Sequence, residues 1–418
     1  MAPRPLAAAL ALTLLLLASC GGGAAAPRAQ PAATPSPTPT AAPTPAPQPA
    51  LAVGVTELDP LLVAALGTRE APAPFAHWRD ELGAIHPRYY RLVLSWGTLQ
   101  PDPAAPPNLD LPQTGCMRDK PPCAPWTGVR DQLRALASRQ REGGWEAEVV
   151  ITGTPAWAAA PQQGCLAGAS GSVGAPLRPE ALPAYRELVT TVLDAARQAG
   201  ATLRYWSPWN EPNLAYFVAP QRSRCDAAAP SLAAATYVPI AEALRQALAA
   251  APGEQELVLG ETAGATRPTA KRTSVGEFIA ALPRDLVCAA AVWGQHAYVG
   301  AENPVDAVSA ALRARGCPSI PPIWITETGV GAVDTTFAIT RGIQSAQGGC
   351  RRLHASLVDW WRDPRVAAAF QYTFREDNLF RTGLVSTDLT SARPALREWQ
   401  AWGAHTDPSA PPPAEACG

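Results

Sequence analysis

The chain has almost no net charge: 34 Lys and Arg stand against 35 Asp and Glu, a formal −1. It therefore lacks the basic field that a nucleic-acid surface needs, and it has no acidic tail. None of its nine cysteines forms a Cys-x-x-Cys pair and its five histidines are scattered, so the spacing of a zinc site is missing. No glycine-rich phosphate turn follows the first strand-like run, which removes the dinucleotide-binding and P-loop classes. Neither a metal nor an organic cofactor is expected. The N-terminal apolar run, Leu6 to Leu17, is too short to span a bilayer.

That run does have the length of a signal-peptide h-region, and Arg4 precedes it. Leu17-Ala18-Ser19-Cys20 resembles a bacterial lipobox, which implies that residues 1–20 are a lipoprotein signal and that Cys20 is lipidated after cleavage. The alternative is an ordinary secretory signal with an incidental cysteine. Gly21 follows, so no aspartate resembling an inner-membrane retention signal is present. Residues 21–50 are Pro, Ala, Thr, Gly and Ser with almost no large apolar side chain. Such a stretch buries too little surface to offset its ordering entropy and reads as an extended tether. The expectation is an extracytoplasmic body, residues 51–407 with a tail at 408–418, held to the bacterial cell membrane by a lipid anchor only.

Setting Cys20 aside leaves Cys116, Cys123, Cys165, Cys225, Cys288, Cys317, Cys350 and Cys417. An even number in an exported chain points to disulfides. Cys116 with Cys123 would close a short loop containing Pro121-Pro122, and Cys165 with Cys225 would tie two loops on one face; the other pairings stay open.

Through the body, short apolar runs alternate with helix-like stretches: Leu51–Val55, Tyr89–Leu94, Glu148–Thr152, Leu203–Trp209, Leu257–Gly260, Ala289–Tyr298, Ile320–Thr326 and Val366–Thr373, each followed by a helix. The last two helices are placed at Thr340–Trp361 and Ala392–Trp402. Eight such units with near-continuous apolar strands fit a closed (β/α)8 TIM barrel better than an open doubly wound sheet. No second low-complexity linker interrupts them, so a single domain is favoured, and a monomer is expected. Long loops after strands two, three and four (98–126, 157–178 and 213–230) each carry cysteine and should stand over the carboxyl ends of the strands.

Two carboxylates sit where strand-like runs stop: Glu211 in Trp209-Asn210-Glu211-Pro212 and Glu327 in Thr326-Glu327-Thr328. In a barrel of this kind chemistry belongs at those ends. The two signatures, closing the fourth and seventh strands, resemble those of clan A (β/α)8 glycoside hydrolases, families 5 and 39 in particular. The likeness runs from Leu51 to about Trp402. It implies a retaining β-glycoside hydrolase in which Glu211 is the acid/base and Glu327 the nucleophile. It further implies that Arg91, in Tyr90-Arg91-Leu92, hydrogen-bonds the nucleophile and that Asn210 donates to the sugar 2-hydroxyl. Trp157, in Thr154-Pro155-Ala156-Trp157, would supply a subsite wall, and His296 and Tyr298 would flank the carboxylates. At the end of the eighth strand the family often has a tryptophan beneath the sugar; this chain offers Tyr372 or Phe374.

Each residue also has a plainer reading. Arg91 could be an ion-pair partner alone, His296 a satisfied core histidine, and Trp157, Trp206 and Trp209 core packing, the reading favoured for Trp206. The neutral charge balance fits an oligo- or polysaccharide partner. Two other functions share the fold: a non-catalytic carbohydrate-binding lipoprotein, which needs no such carboxylate pair, and a transglycosidase, which uses the same covalent intermediate.

Overall fold

Eight short strands run parallel and close on themselves: β1 (Ala52–Thr56), β2 (Tyr89–Ser95), β3 (Glu146–Thr152), β4 (Tyr205–Ser207), β5 (Glu256–Thr262), β6 (Val292–His296), β7 (Ile323–Thr328) and β8 (Val366–Tyr372). The computed structural model describes residues 51–67, 69–115, 121–330, 343–377 and 380–418. Each strand pairs with its neighbour in sequence, and β1 pairs with β8 to complete the barrel. Helices follow the strands, from Pro74–Gly83 after β1 through Val129–Gly143, Leu182–Ala199, Ala233–Ala250, Val275–Ala281, Val305–Ala314 and Ala346–Arg362 to Ala395–Ala404 after β8. This is a (β/α)8 barrel.

Strand side chains alternate between two cores. Leu92, Leu94, Val149, Ile151, Leu257 and Leu259 face outward into the helical shell. Tyr89, Tyr205, Val258, Val292, Trp324, Ala368 and Phe370 fill the lumen near the amino ends of the strands. There Trp324 packs with ring centroids 4.4 Å from Tyr89 and 4.6 Å from Tyr205, an aromatic floor that leaves the polar residues above it facing the carboxyl-end mouth.

Several boundaries differ from the sequence expectation. β4 is only Tyr205–Ser207 rather than 203–209, because Pro208 stops the ladder and the chain turns away immediately after it. The helix expected from Thr340 begins at Ala346, where the Ser345 side chain accepts from Gly348 N; positions 340–342 lie outside the described residues. β5 runs on past Gly260 to Thr262, and β3 starts at Glu146 rather than Glu148.

Among the described residues, disulfides join Cys165 to Cys225, Cys288 to Cys317 and Cys350 to Cys417. The first joins the loops after β3 and β4 over the mouth. Cys116 lies outside the described residues, and the expected Cys116–Cys123 pair with it. Cys350–Cys417 fastens the 408–418 tail to the helix after β7, across a sequence separation of 67. A loop of that size, once opened, gains roughly 4 kcal/mol of chain entropy in the unfolded state. Replacing both cysteines by alanine is expected to lower unfolding stability by about 2–4 kcal/mol in denaturant titration.

Candidate active site

Arg91 lies on the same side of β2 as Tyr89, two positions further on, so its guanidinium enters the lumen directly above the aromatic floor. It is fully buried, and each of its three guanidinium nitrogens donates at least one hydrogen bond. Nη1 donates to Glu327 Oε1 at 2.7 Å, Nη2 to Asn210 Oδ1 at 2.8 Å and to Glu261 Oε2 at 2.6 Å, and Nε to Glu261 Oε2 at 3.2 Å. Burial works against its charge, but Glu327, Glu261 and Glu148 outweigh that and hold it still more firmly protonated than a free guanidinium. The Asn210 contact fixes the orientation of that amide, leaving Nδ2 as a donor.

Glu327 closes β7. By simple alternation with Ile323 and Ile325, which face the helices, its side chain would point out of the barrel. The register slips between Gln295 and His296 on one side and between Ile325 and Thr328 on the other, and this irregularity turns the carboxylate inward. Besides Arg91, it accepts from the Tyr298 hydroxyl at 2.6 Å. Burial, followed by the charge of Glu327, pushes the Tyr298 phenol well up from its ordinary value, so it stays a donor.

Glu211 occupies the turn after β4 with a left-handed backbone, φ 39°, and Glu261 on β5 shares that unusual region at φ 49°. The two strained residues are locked together, Glu211 N donating to Glu261 O at 2.8 Å. His296, at the end of β6, lies between the carboxylates: Nδ1 is 2.8 Å from Glu211 Oε1 and 3.3 Å from Glu327 Oε2, and Nε2 is 3.4 Å from Glu261 Oε2. Burial disfavours its charge, yet Glu327, Glu211 and Glu261 raise it to about 10. Burial pushes the Glu211 acid up from the usual carboxylate range, more than the His296 contact pulls it down. One oxygen of Glu211, one of Glu327 and one ring nitrogen of His296 all lie within 4.8 Å of one another. This trio has the donor types of a cation site. Glu211 is 14% and Glu327 9% exposed in its side chain, whereas Arg91 and Glu261 are at 0%, so the first two are the carboxylates that a molecule in the mouth can reach.

No family model matches this chain, and no curated protein does. Solved structures do. It superposes on SrfJ from Salmonella typhimurium with TM-score 0.55 at 10% identity, over 88% of this chain and 76% of that one. A family 30 endoxylanase from Clostridium papyrosolvens gives 0.53 at 11%, over 87% and 73%. A family 39 glycoside hydrolase from Bacteroides cellulosilyticus gives 0.50 at 14%, over 85% and 64%. At these identities the likeness establishes a shared (β/α)8 barrel fold.

The structure thus gathers Arg91, Asn210, Glu211, His296, Tyr298 and Glu327 into one cluster. Tyr372 joins it at one remove: Phe380 packs 5.0 Å from Tyr298 and 5.9 Å from Tyr372 in ring centroids. Phe374, the other aromatic offered at the end of the eighth strand, is fully buried and donates its backbone N–H to Thr56 O, so it is not a sugar platform. Trp157 is half-buried in a turn after β3, its indole N–H donating to Gln100 O at 2.8 Å and its ring 5.7 Å from Trp96. Among the described residues, these contacts tie it to Gln100 and Trp96 and not to the carboxylate pair. Trp206 and Trp209 are core residues, at 0% and 1% exposure.

Two carboxylates at the centre of the cluster were missed. Glu261 ends an apolar run as Glu211 and Glu327 do, but alternation with Leu257 and Leu259 aims it at the helices. The bulge between Gly260 and Thr262 turns it inward instead, with Gly260 taking φ 99°. Glu148 was read as the opening residue of a strand; two residues further in, alternation carries it into the lumen beside Arg91 Nε, at 3.7 Å.

Proposed function

We propose that this chain is a retaining β-glycoside hydrolase acting by double displacement, with Glu211 as acid/base and Glu327 as nucleophile. What carries the reading is that an oxygen of Glu211 and an oxygen of Glu327 lie within 4.8 Å of each other, close enough to flank one anomeric centre. Retaining enzymes hold their carboxyls about 5–5.5 Å apart, whereas inverting ones need about 6.5–9.5 Å to admit a water. The barrel shared with glycoside hydrolases supports it further.

Glu327 attacks the anomeric carbon while Glu211 gives its proton to the leaving glycosidic oxygen. Arg91 and Tyr298 keep both Glu327 oxygens hydrogen-bonded until attack, so the nucleophile is aimed before substrate arrives. His296 occupies Glu211 Oε1, which places the transferable proton on Oε2. Esterification of Glu327 removes its negative charge from the pair, which makes Glu211 more acidic and suits it to take a proton from water. That water attacks the anomeric carbon, Glu327 leaves as carboxylate, and Glu211 ends protonated as it began. The Asn210 Nδ2 donates to the 2-hydroxyl, a contact that tightens in the oxocarbenium-like transition state. The substrate is an oligo- or polysaccharide and no cofactor takes part. The setting we propose is outside the cytoplasm, anchored through lipid on Cys20, with the disulfides in keeping with an oxidising compartment.

The anomeric outcome tests this. Aryl β-glycosides and soluble β-glycans, followed by proton NMR from the first turnover, are expected to release the β-anomer first, with the α-anomer appearing only by mutarotation. Initial release of the α-anomer would mean inversion and would end the assignment of Glu327 as nucleophile. Product sizes from the same panel separate endo from exo action, and sugar-chain products at high acceptor concentration reveal transglycosylation.

A further inference from the structure

Beneath the pair that meets substrate lie two more carboxyls, both at 0% exposure and neither able to reach a molecule in the mouth. Glu261 Oε2 receives two hydrogen bonds from Arg91 and faces His296 Nε2 at 3.4 Å. The same arginine holds Glu327, and the same histidine holds Glu211. One oxygen therefore stands behind both carboxylates at the mouth. We propose that Glu261, backed by Glu148, is a positioning residue of this active centre: a single buried carboxylate that sets Arg91 against Glu327 and His296 against Glu211 at once.

The local sequence is built around that side chain. Gly294 on β6 leaves its space: a Cβ there would stand 1.9 Å from Glu261 Oε1. The bulge that turns Glu261 inward also sets its carbonyl to receive Glu211 N, so its backbone fixes one catalytic glutamate while its side chain serves both. Glu148 is the complement. Neither of its oxygens finds a hydrogen-bond donor among the described residues, and beside Glu261 only the Thr326 hydroxyl stands as a further donor to that carboxylate. A proton on Glu148 supplies one, since a protonated carboxyl can donate to an ionised neighbour while two carboxylates can only repel.

The charges agree with this division. Facing Glu261 are Arg91 from β2, Glu148 from β3, Asn210 and Glu211 after β4, His296 from β6, Thr326 and Glu327 from β7, and Tyr237 from the helix after β4, whose hydroxyl accepts from Gly260 N. Burial raises Glu261, but Arg91 and His296 overcome it and hold it down to about 2. Burial and then the Glu261 charge push Glu148 well above the usual range. A proton on Glu148 leaves Glu261 as the carboxylate that pairs with both Arg91 and His296, and a low-dielectric lumen favours such pairing of buried charge.

The catalytic consequence rests on the glycosidase reading; the geometry does not, and the test separates them. Imidazole titration by nitrogen-15 NMR, read on resting protein, is expected to show wild-type His296 doubly protonated well above the ordinary value of about 6.5. In Glu261→Gln it should lose its proton at least about one pH unit lower. In Glu148→Gln, where a neutral amide replaces a neutral acid, it should hold. With a cleavable aryl glycoside, Glu261→Gln should lose about 10–100-fold in kcat with KM nearly unchanged, and Glu148→Gln less than about tenfold. A wild-type His296 titrating near 6.5, or unmoved in folded Glu261→Gln, overturns the proposal. Equal effects of the two substitutions overturn the proton on Glu148. Should the wild type cleave no glycoside while His296 behaves as described, the positioning arrangement stands and the proposed function fails.

Discussion

Glu327→Ala is expected to lose more than about 10⁴-fold in turnover, equivalent to about 5.5 kcal/mol of transition-state stabilisation, and azide is expected to restore part of it. The loss is large because, in the proposed mechanism, the side chain is the attacking group itself. Truncation leaves Arg91 Nη1 and the Tyr298 hydroxyl, both within 2.7 Å of the missing oxygens, without their acceptor. The space that opens is lined by these donors and faces the anomeric carbon, which suits a small anion. Azide attacking from there takes the place of the carboxylate in the first displacement, and no second displacement follows. The product should be a glycosyl azide of inverted, α configuration, identifiable by its anomeric proton coupling. Undiminished activity in Glu327→Ala would remove this glutamate from the chemistry. A wild type that binds β-glycans across a panel without cleaving any would instead favour a carbohydrate-binding lipoprotein.

The barrel was legible because its signal is repeated: eight apolar runs followed by eight amphipathic stretches leave few alternative topologies. Glu211, Glu327 and Arg91 were legible for a different reason. Their neighbours, a proline and a tryptophan-rich turn for the first, a threonine-flanked strand end for the second and strict alternation for the third, carry a family resemblance. Glu261 carried no such neighbours. Its inward direction is created by a one-residue bulge at Gly260, and alternation, the rule that places Arg91 correctly, places Glu261 on the wrong side. Glu148 sits on a regular strand and was hidden only by a strand start placed two residues late, since Glu146, at the rim, resembles a solvated end. The Cys165–Cys225 pair followed from both residues lying in loops over one face. Cys288–Cys317 and Cys350–Cys417 depend on where helix ends and the tail come to rest, which spacing does not encode.

Glu211→Ala should discriminate between leaving groups in a way that no loss of folding can imitate. An alkoxide leaving group needs a proton as the bond breaks, and general acid catalysis of that kind contributes about 10²–10⁴-fold. An activated aryl oxide leaves without one. The first displacement on a dinitrophenyl glycoside should therefore be nearly as fast in the variant as in the wild type, while natural oligosaccharides fall by the full factor. Deglycosylation then becomes the slow step, because no base remains to take the proton from water, so a burst of aryl oxide should precede a low steady state. Azide, which needs no base, should speed that step and give the retained β-azide, the opposite anomer to the one from Glu327→Ala. The pH profile carries the same assignment. Burial raises the Glu211 acid above its ordinary 4.5, so the proton that the first step requires is present at low pH and is lost as pH rises through that raised value. The wild-type kcat/KM for unactivated substrates should fall along this basic limb, and in Glu211→Ala the limb should vanish. Equal losses for alkyl and activated aryl glycosides, with the limb unchanged, would take the acid role away from Glu211.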